Sequence, residues 1–376
     1  MALSLRELNR ATLARQLLLR REPLDAGAAV RRLVALQAQQ PASPYLALWN
    51  RLSGFDPAGL DAAFADGSLV KATLMRITLH VVHADDHTVL RLAMRETLRA
   101  SRLGDRRFAA TGLTPEQADA LVPELLAFAD RPRTGAEIEA WAAERAPRSP
   151  KGVLRVMRSI APLLHAPTGG AWSFGPRPSY LAASPDDKPG DTDACLQELV
   201  LRYLEAFGPA SVLDVAQYAM VYRPRARAAL AALADRLERL EGPGGTELFD
   251  VPGAPRPPAG APAPPRLMAM WDNVLLAYAD RARVIPPGYR QLVIRANGDV
   301  LPTLLVDGHV AGVWRPVPDG IEATAFHRLP GEAWHGLAAE AKELLALLAG
   351  REPAVYSRYG RWWDGLPAAE VRVLPG

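Results

Sequence analysis

The chain has 376 residues, 49% of them hydrophobic, enough for a large interior shared among two to four domains. Its single cysteine, Cys195, excludes an intrachain disulfide and a cysteine-rich zinc site. No apolar run reads as a signal peptide or reaches membrane-spanning length, so a soluble cytoplasmic protein is expected.

The formal net charge of +3 is unevenly spread. Residues 1–110 hold 16 Lys and Arg against 10 Asp and Glu, and the remainder is net acidic, so the N-terminal part is the expected face for a polyanion. Arginine supplies 40 of the 44 basic residues, which suits forked phosphate contacts, although a GC-rich genome gives the same bias.

In chain order, Ser4 with Glu7 forms a capping box before a helix running to about Arg20. Asp25 caps the next helix, which turns Val30, Leu33, Val34 and Leu36 inward. That helix runs into Leu36-Gln37-Ala38-Gln39-Gln40-Pro41. Pro41 biases Gln40 away from the α region, so the chain here is turning or extended. In extended chain i and i+2 point to one side, so Gln37 and Gln39 can present two carboxamides to one small volume. Such a pair orients a water or a sugar oxygen but is no strong base. Spacing alone favours the plainer reading, a helix C-terminus whose polar residues happen to alternate.

Further helices start at Ser43-Pro44 and Asp56-Pro57, and Val70 to Val82 reads as strand. Asp85 or Asp86 caps a long helix to about Arg107, on which Arg91, Arg95, Arg99, Arg102 and Arg106 share one face. Two readings fit that face: a solvated surface, or a stripe that tracks phosphates. His80, His83 and His87 beside Asp85 and Asp86 invite a metal reading, but His80 and His83 stand at odd spacing on a strand, so no metal is expected. His80 reads first as a hydrogen-bonded structural histidine, and second as a candidate to line a site beside the glutamines.

Helix, helix and hairpin then recur. Thr114-Pro115, Thr134 and Ser149-Pro150 open helices, and LLHAPTGGAWSFG reads as a glycine-turned hairpin. Lys151, Arg155 and Arg158 share a helical face that either reads DNA or packs. After a polar linker, Leu196 to Phe207 and a Ser211-capped helix lead to a short wing near Glu247 to Val251. Pro252 to Arg266 is a proline-rich spacer, extended by composition, and Asp307-Gly308 turns a hairpin in a β-rich C-terminal part.

The fold expected is α+β, mainly helical. It has three tandem winged-helix units (1–110, 111–185 and 190–252) in a curve, a spacer at 253–266 and a small barrel-like domain at 267–376. No nucleophile elbow, P-loop or dinucleotide fingerprint is present, and lysines are too few to suggest a Schiff-base lyase.

Four stretches carry a resemblance. LVALQAQQPASPYLALWNRL, LVKATLMRITLHVVHADD, WDNVLLAYADRARVI and VLPTLLVDGHVAGVWRP resemble the AlkZ family of winged-helix DNA glycosylases. Gln37 and Gln39 match its crosslink-unhooking branch, whereas a YcaQ-like sister branch carries Gln-x-Asp there. The resemblance implies a monofunctional glycosylase that needs no cofactor. Its substrate would be double-stranded DNA bearing N7-alkylated or azinomycin-crosslinked guanine, and Gln37 and Gln39 would be catalytic. It also makes Asp272, Asn273, Asp280 and Arg281 framework, and His309 in the hairpin a candidate to probe the duplex. A winged-helix regulator without catalysis is the alternative, and a protein-binding repeat a third reading.

Overall fold

The computed structural model describes residues 2–146, 148, 151–183 and 190–376. Local polar caps set the early helices. α1 (Leu5–Arg15) opens on the Ser4–Glu7 capping box and α2 (Ala26–Arg32) on Asp25. α1 stops short of the expected Arg20, and Leu17 beyond it is left-handed (φ 57°). β1 (Leu36–Gln37) precedes α3 (Ser43–Arg51) and α4 (Pro57–Ala65), which starts at the Asp56 cap.

Two expectations for the next stretch are corrected. The run from Val70 to Val82 is a hairpin of β2 (Leu69–Thr73) and β3 (Leu79–His83), not one strand. Arg76 and Ile77 turn it with φ of 53° and 58°. The long arginine helix is three helices, α5 (Ala84–Ala93), α6 (Arg95–Leu103) and α7 (Arg106–Ala109). Its cap is His83, whose ring nitrogen accepts from the Asp85 amide at 3.3 Å. Asp86 is buried between Arg31 (3.2 Å) and Arg202 (2.7 Å).

α8 (Pro115–Phe128), β4 (Arg133–Thr134), α9 (Gly135–Ala143) and α10 (Lys151–Ile160) follow. The Ser149-Pro150 opening of α10, the Lys151 side chain and most of the polar linker lie outside the described residues. β5 (Leu163–Ala166) pairs with β6 (Ser179–Ala182), so the hairpin is longer than LLHAPTGGAWSFG suggested. Trp172 and Phe174, in its connection, pack their rings 5.1 Å from Tyr45 and 4.9 Å from Phe64. One β2–β5 pair, Lys71 with His165, joins the hairpins into a six-stranded sheet of order β1-β3-β2-β5-β6-β4.

α11 (Thr192–Phe207), α12 (Val212–Ala219) and α13 (Arg223–Ala232) precede a separate ribbon of β7 (Glu238–Glu241) and β8 (Glu247–Asp250). The proline-rich stretch then runs along α1. Proline lacks an N–H, so this segment cannot pair as a strand ladder. Its carbonyls at Pro255, Ala259 and Ala261 instead accept from Nε of Arg15, Arg6 and Arg10, at 3.2, 2.8 and 2.7 Å.

The C-terminal part holds β9 (Arg266–Leu267), α14 (Arg290–Val293), β10 (Thr303–Val306), β11 (His309–Val317), β12 (Gly320–Ala325), α15 (Gly331–Ala349) and β13 (Glu370–Leu374). The sheet, ordered β13-β12-β11-β10-β9, is open, with α15 packed on it, and does not close into a barrel. Asp307-Gly308 does turn a hairpin, but its tip is docked on α1. Asp307 pairs with Arg6 (2.7 Å) and Arg10, and the Gly308 carbonyl accepts from Asn9 at 2.7 Å. A Cβ on Gly308 (φ 78°) would stand 2.5 Å from Asn9 Oδ1, so only glycine fits that approach. His309 follows this docked tip, half-buried, with its Nδ1 3.0 Å from the Asp307 carbonyl.

One apolar core joins residues from Leu13 to Val81 with the C-terminal sheet and α15. A second joins β2, β3 and α5 to α11–α13. A third lies within residues 108–182. The glutamine strand thus sits where the first two cores meet, since Leu36 belongs to one and Val34 to the other.

Candidate active site

Gln37 is placed by backbone. Val34 (φ 68°) turns the chain out of α2, and β1 pairs with β3 so that Gln37 lies opposite His80. The Ala38 amide donates to the Leu79 carbonyl at 2.8 Å. Asn273 holds the other edge: its Oδ1 accepts from the Gln37 amide at 3.2 Å and its Nδ2 donates to the Ala35 carbonyl. Asn273 is fixed in turn by the preceding Asp272, which makes a buried two-pronged pair with Arg51, both contacts 2.8 Å.

The two glutamines reach the same short segment. Gln37, 3% exposed, accepts at Oε1 from Arg76 Nη2 (3.0 Å) and from the Thr78 hydroxyl (3.3 Å), whose one hydrogen is shared with the Met75 carbonyl. Gln39 is exposed, and its Oε1 accepts from the Leu79 amide at 3.3 Å. One amide is therefore buried and one exposed, both anchored on residues 76–79.

His80 is buried behind Gln37. Its Nδ1 lies 3.1 Å from the Thr78 carbonyl, which can only accept, so that nitrogen carries the hydrogen. Its Nε2 faces Arg76 Nη2 at 3.3 Å with a lone pair. Burial, then the Arg76 charge, holds this imidazole well below its ordinary range, so it stays neutral. The Arg76 guanidinium lies over the Tyr218 ring, 5.2 Å from its centroid, and burial lowers its pKa. None of the described hydrogen-bond partners of Gln37, Gln39, Arg76 and His80 is a carboxylate. Arg76 and Thr78 were not among the residues singled out from sequence. Their one signal is a basic side chain inside an apolar β run, with no turn residue to mark the reversal.

The opposite face of the sheet is different in kind. Lys71 and Val81 are paired, as are Val81 and Leu36, so these side chains point away from Gln37 and His80. Lys71 is buried over the Phe174 ring (4.4 Å), with its pKa lowered by burial to about 8. Lys71 stands on the sheet face away from Gln37 and His80.

The arginine face dissolves into internal contacts. Arg99 pairs with Asp119, and Arg102 donates to Ser159 at 3.3 Å. Arg155 pairs with Asp105 at 3.1 Å, and Arg158 is half-buried with its Nε sealed. Arg91 is half-buried and also partnered. Arg95 and Arg106 are exposed on separate helices and make no ion pair among the described residues. Among the described residues no three His, Cys, Asp or Glu side chains are grouped to hold a metal, and no helix is long and apolar enough to cross a membrane. A cavity of about 680 Å³ lined by Thr88, Leu126, Pro162 and Leu181 lies away from the glutamines.

Comparison with known proteins shows the family and the fold. The chain is 28% identical over 337 residues to the interstrand DNA cross-link repair glycosylase of Streptomyces sahachiroi, covering 85% of this chain and 90% of that one. The solved structure of the Streptomyces sahachiroi DNA glycosylase AlkZ shares the fold, with a TM-score of 0.78 at 24% identity over 93% of this chain and 98% of that chain. The model of the family described as DNA glycosylase AlkZ-like matches residues 30–347, a span that holds both glutamines, Arg76, His80 and Asn273, and the chain belongs to that family.

Proposed function

We propose that this protein excises N7-alkylated guanine from double-stranded DNA and unhooks interstrand crosslinks of that chemistry, with Gln37 and Gln39 as the catalytic pair. One observation carries the reading: two carboxamides converge on one segment beside a neutral histidine, with no carboxylate among their partners. Such a site cannot protonate a leaving base. Guanine alkylated at N7 already carries positive charge and leaves without protonation. The C1′–N9 bond breaks, its electron pair neutralises the purine, and water adds to the oxocarbenium-like C1′, losing its proton to solvent. The amides hold that water and support charge as it develops.

The chemistry is monofunctional. Lys71, whose pKa burial lowers to about 8, faces away from the pair and forms no Schiff base with the abasic sugar. The recurring helix–helix–hairpin order is read as tandem winged helices presenting a concave surface to duplex DNA, with Arg95 and Arg106 as the free phosphate contacts. A monomer in the cytoplasm, working at the nucleoid and protecting its host from azinomycin-type agents, completes the reading.

The test incubates the protein with a duplex carrying one N7-methylguanine and with a duplex crosslinked through guanine N7. Free N7-methylguanine, alkali-labile abasic sites and separation of the crosslinked strands are expected. Tight binding with no released base would favour a DNA-binding regulator instead.

A further inference from the structure

Arg76 occupies a place that packing alone does not explain. It and Ile77 are consecutive non-glycine residues in left-handed backbone, φ 53° and 58°, a conformation that costs energy and persists where the surroundings enforce it. The turn aims the guanidinium inward. Nη2 reaches Gln37 Oε1 at 3.0 Å and His80 Nε2 at 3.3 Å, the cation rests on Tyr218, and Nη1 is sealed without a partner. A guanidinium has donors only, so it accepts just one of the two orientations of the Gln37 amide, oxygen inward. No described residue takes a hydrogen bond from the Gln37 Nε2. His80 cannot compete for the site as a base, because its lone pair is spent on Arg76.

We propose that Arg76 is a positioning residue that locks the Gln37 carboxamide with its nitrogen toward the substrate, so that Gln37 acts as a hydrogen-bond donor and Gln39 as the acceptor that aligns the attacking water. Gln39 suits the second role. Its oxygen takes one hydrogen bond, from the Leu79 amide, and keeps a second lone pair on an exposed side chain. This assignment rests on the glycosylase reading above.

The test has two arms, so that its failure is distinct from failure of that reading. In the first, release of N7-methylguanine from a defined duplex is followed under single-turnover conditions. Arg76→Ala should slow it on the order of 10²-fold, as misplacement of a reacting group does, with DNA affinity unchanged within a few-fold. Millimolar guanidinium ion should restore much of the rate. Gln37→Glu should be as slow, since a carboxylate pinned by Arg76 has no donor to offer. The second arm needs no turnover: in protein labelled with 15N-glutamine, Arg76→Ala should shift the Gln37 side-chain amide signals and leave those of distant glutamines in place. Wild-type release by Arg76→Ala, or an unmoved Gln37 amide, would overturn the proposal. A wild-type protein that releases no base would instead overturn the glycosylase reading, and the amide signal would still decide the role of Arg76.

Discussion

The glutamine segment and the arginine run were the two polar features most visible in the sequence, and folding treats them in opposite ways. Gln37 ends β1 and Gln39 stands in the bend after it, and both reach residues 76–79. The arginines from 91 to 106 are split over three helices, and Arg99 and Arg102 bind Asp119 and Ser159 of the same chain. The β1–β3 pairing fixes the face that Gln37 takes, and the chain turns within two residues of it. Helical spacing fixes a face only while the helix continues, and it says nothing of what the neighbouring element supplies.

The largest effect that would sharpen this contrast is on stability at the support of the glutamine strand. Arg51→Ala leaves Asp272 as a buried, unpaired carboxylate and should cost about 3–5 kcal/mol in urea unfolding. A change under half of that would mean the Asp272–Asn273 turn is held by something else. Asn273→Ala removes the partners of the Gln37 amide and the Ala35 carbonyl, two buried groups worth about 1–3 kcal/mol each when unsatisfied. It should also slow base release while leaving DNA binding intact. Release at the wild-type rate would show that Gln37 needs no such clamp.

Histidines supply the pH test. Burial, then the Lys71 and Arg158 charges, lowers His165 to about 3, and His80 is likewise held below 6.5. Below pH 6.5 the unfolded chain therefore binds more protons than the folded one, and stability falls as pH drops from about 6.5 toward 3. Melting temperature should decline over that window, less steeply in His165→Phe. Base release itself should be flat between about pH 6 and 8, because a histidine held neutral does not titrate there; a rate that falls with an inflection near 6.5 would point to an imidazole base.

Arg99→Ala gives the smallest expected effect. A half-exposed ion pair contributes about 1 kcal/mol or less, and a guanidinium occupied by Asp119 should contribute nothing to the salt dependence of DNA binding. Arg95→Ala should lower that slope by about 0.9. Equal slope changes, measured by fluorescence anisotropy across salt, would restore the stripe reading that the structure removes.

Much of the local order was legible. Ser4 with Glu7, Asp25, Asp56, Thr134 and Ser211 cap helices where their spacing predicts, and Asp307-Gly308 turns its hairpin. His80 beside the glutamines was also within reach, since it pairs with Gln37 once the register is set. The turn at Arg76 was not, because Met-Arg-Ile-Thr carries no glycine, asparagine or proline and the left-handed backbone is imposed by tertiary contacts. Nor was the docking of the Asp307 tip on α1, which depends on three side chains from nearly 300 residues earlier. The long-range joins of β2 to β5 and of Asn273 to Gln37 leave no local trace at all.

The central claim is that two neutral amides perform the chemistry. It is tested most directly by single-turnover release of N7-methylguanine from one duplex by the wild-type protein, Gln37→Ala and Gln39→Ala, each at saturating concentration. Each variant should be slower by on the order of 10²-fold or more, with the dissociation constant for the duplex within a few-fold of wild type. Release at the wild-type rate by either variant would contradict the claim for that residue, and by both would remove the pair from the reaction.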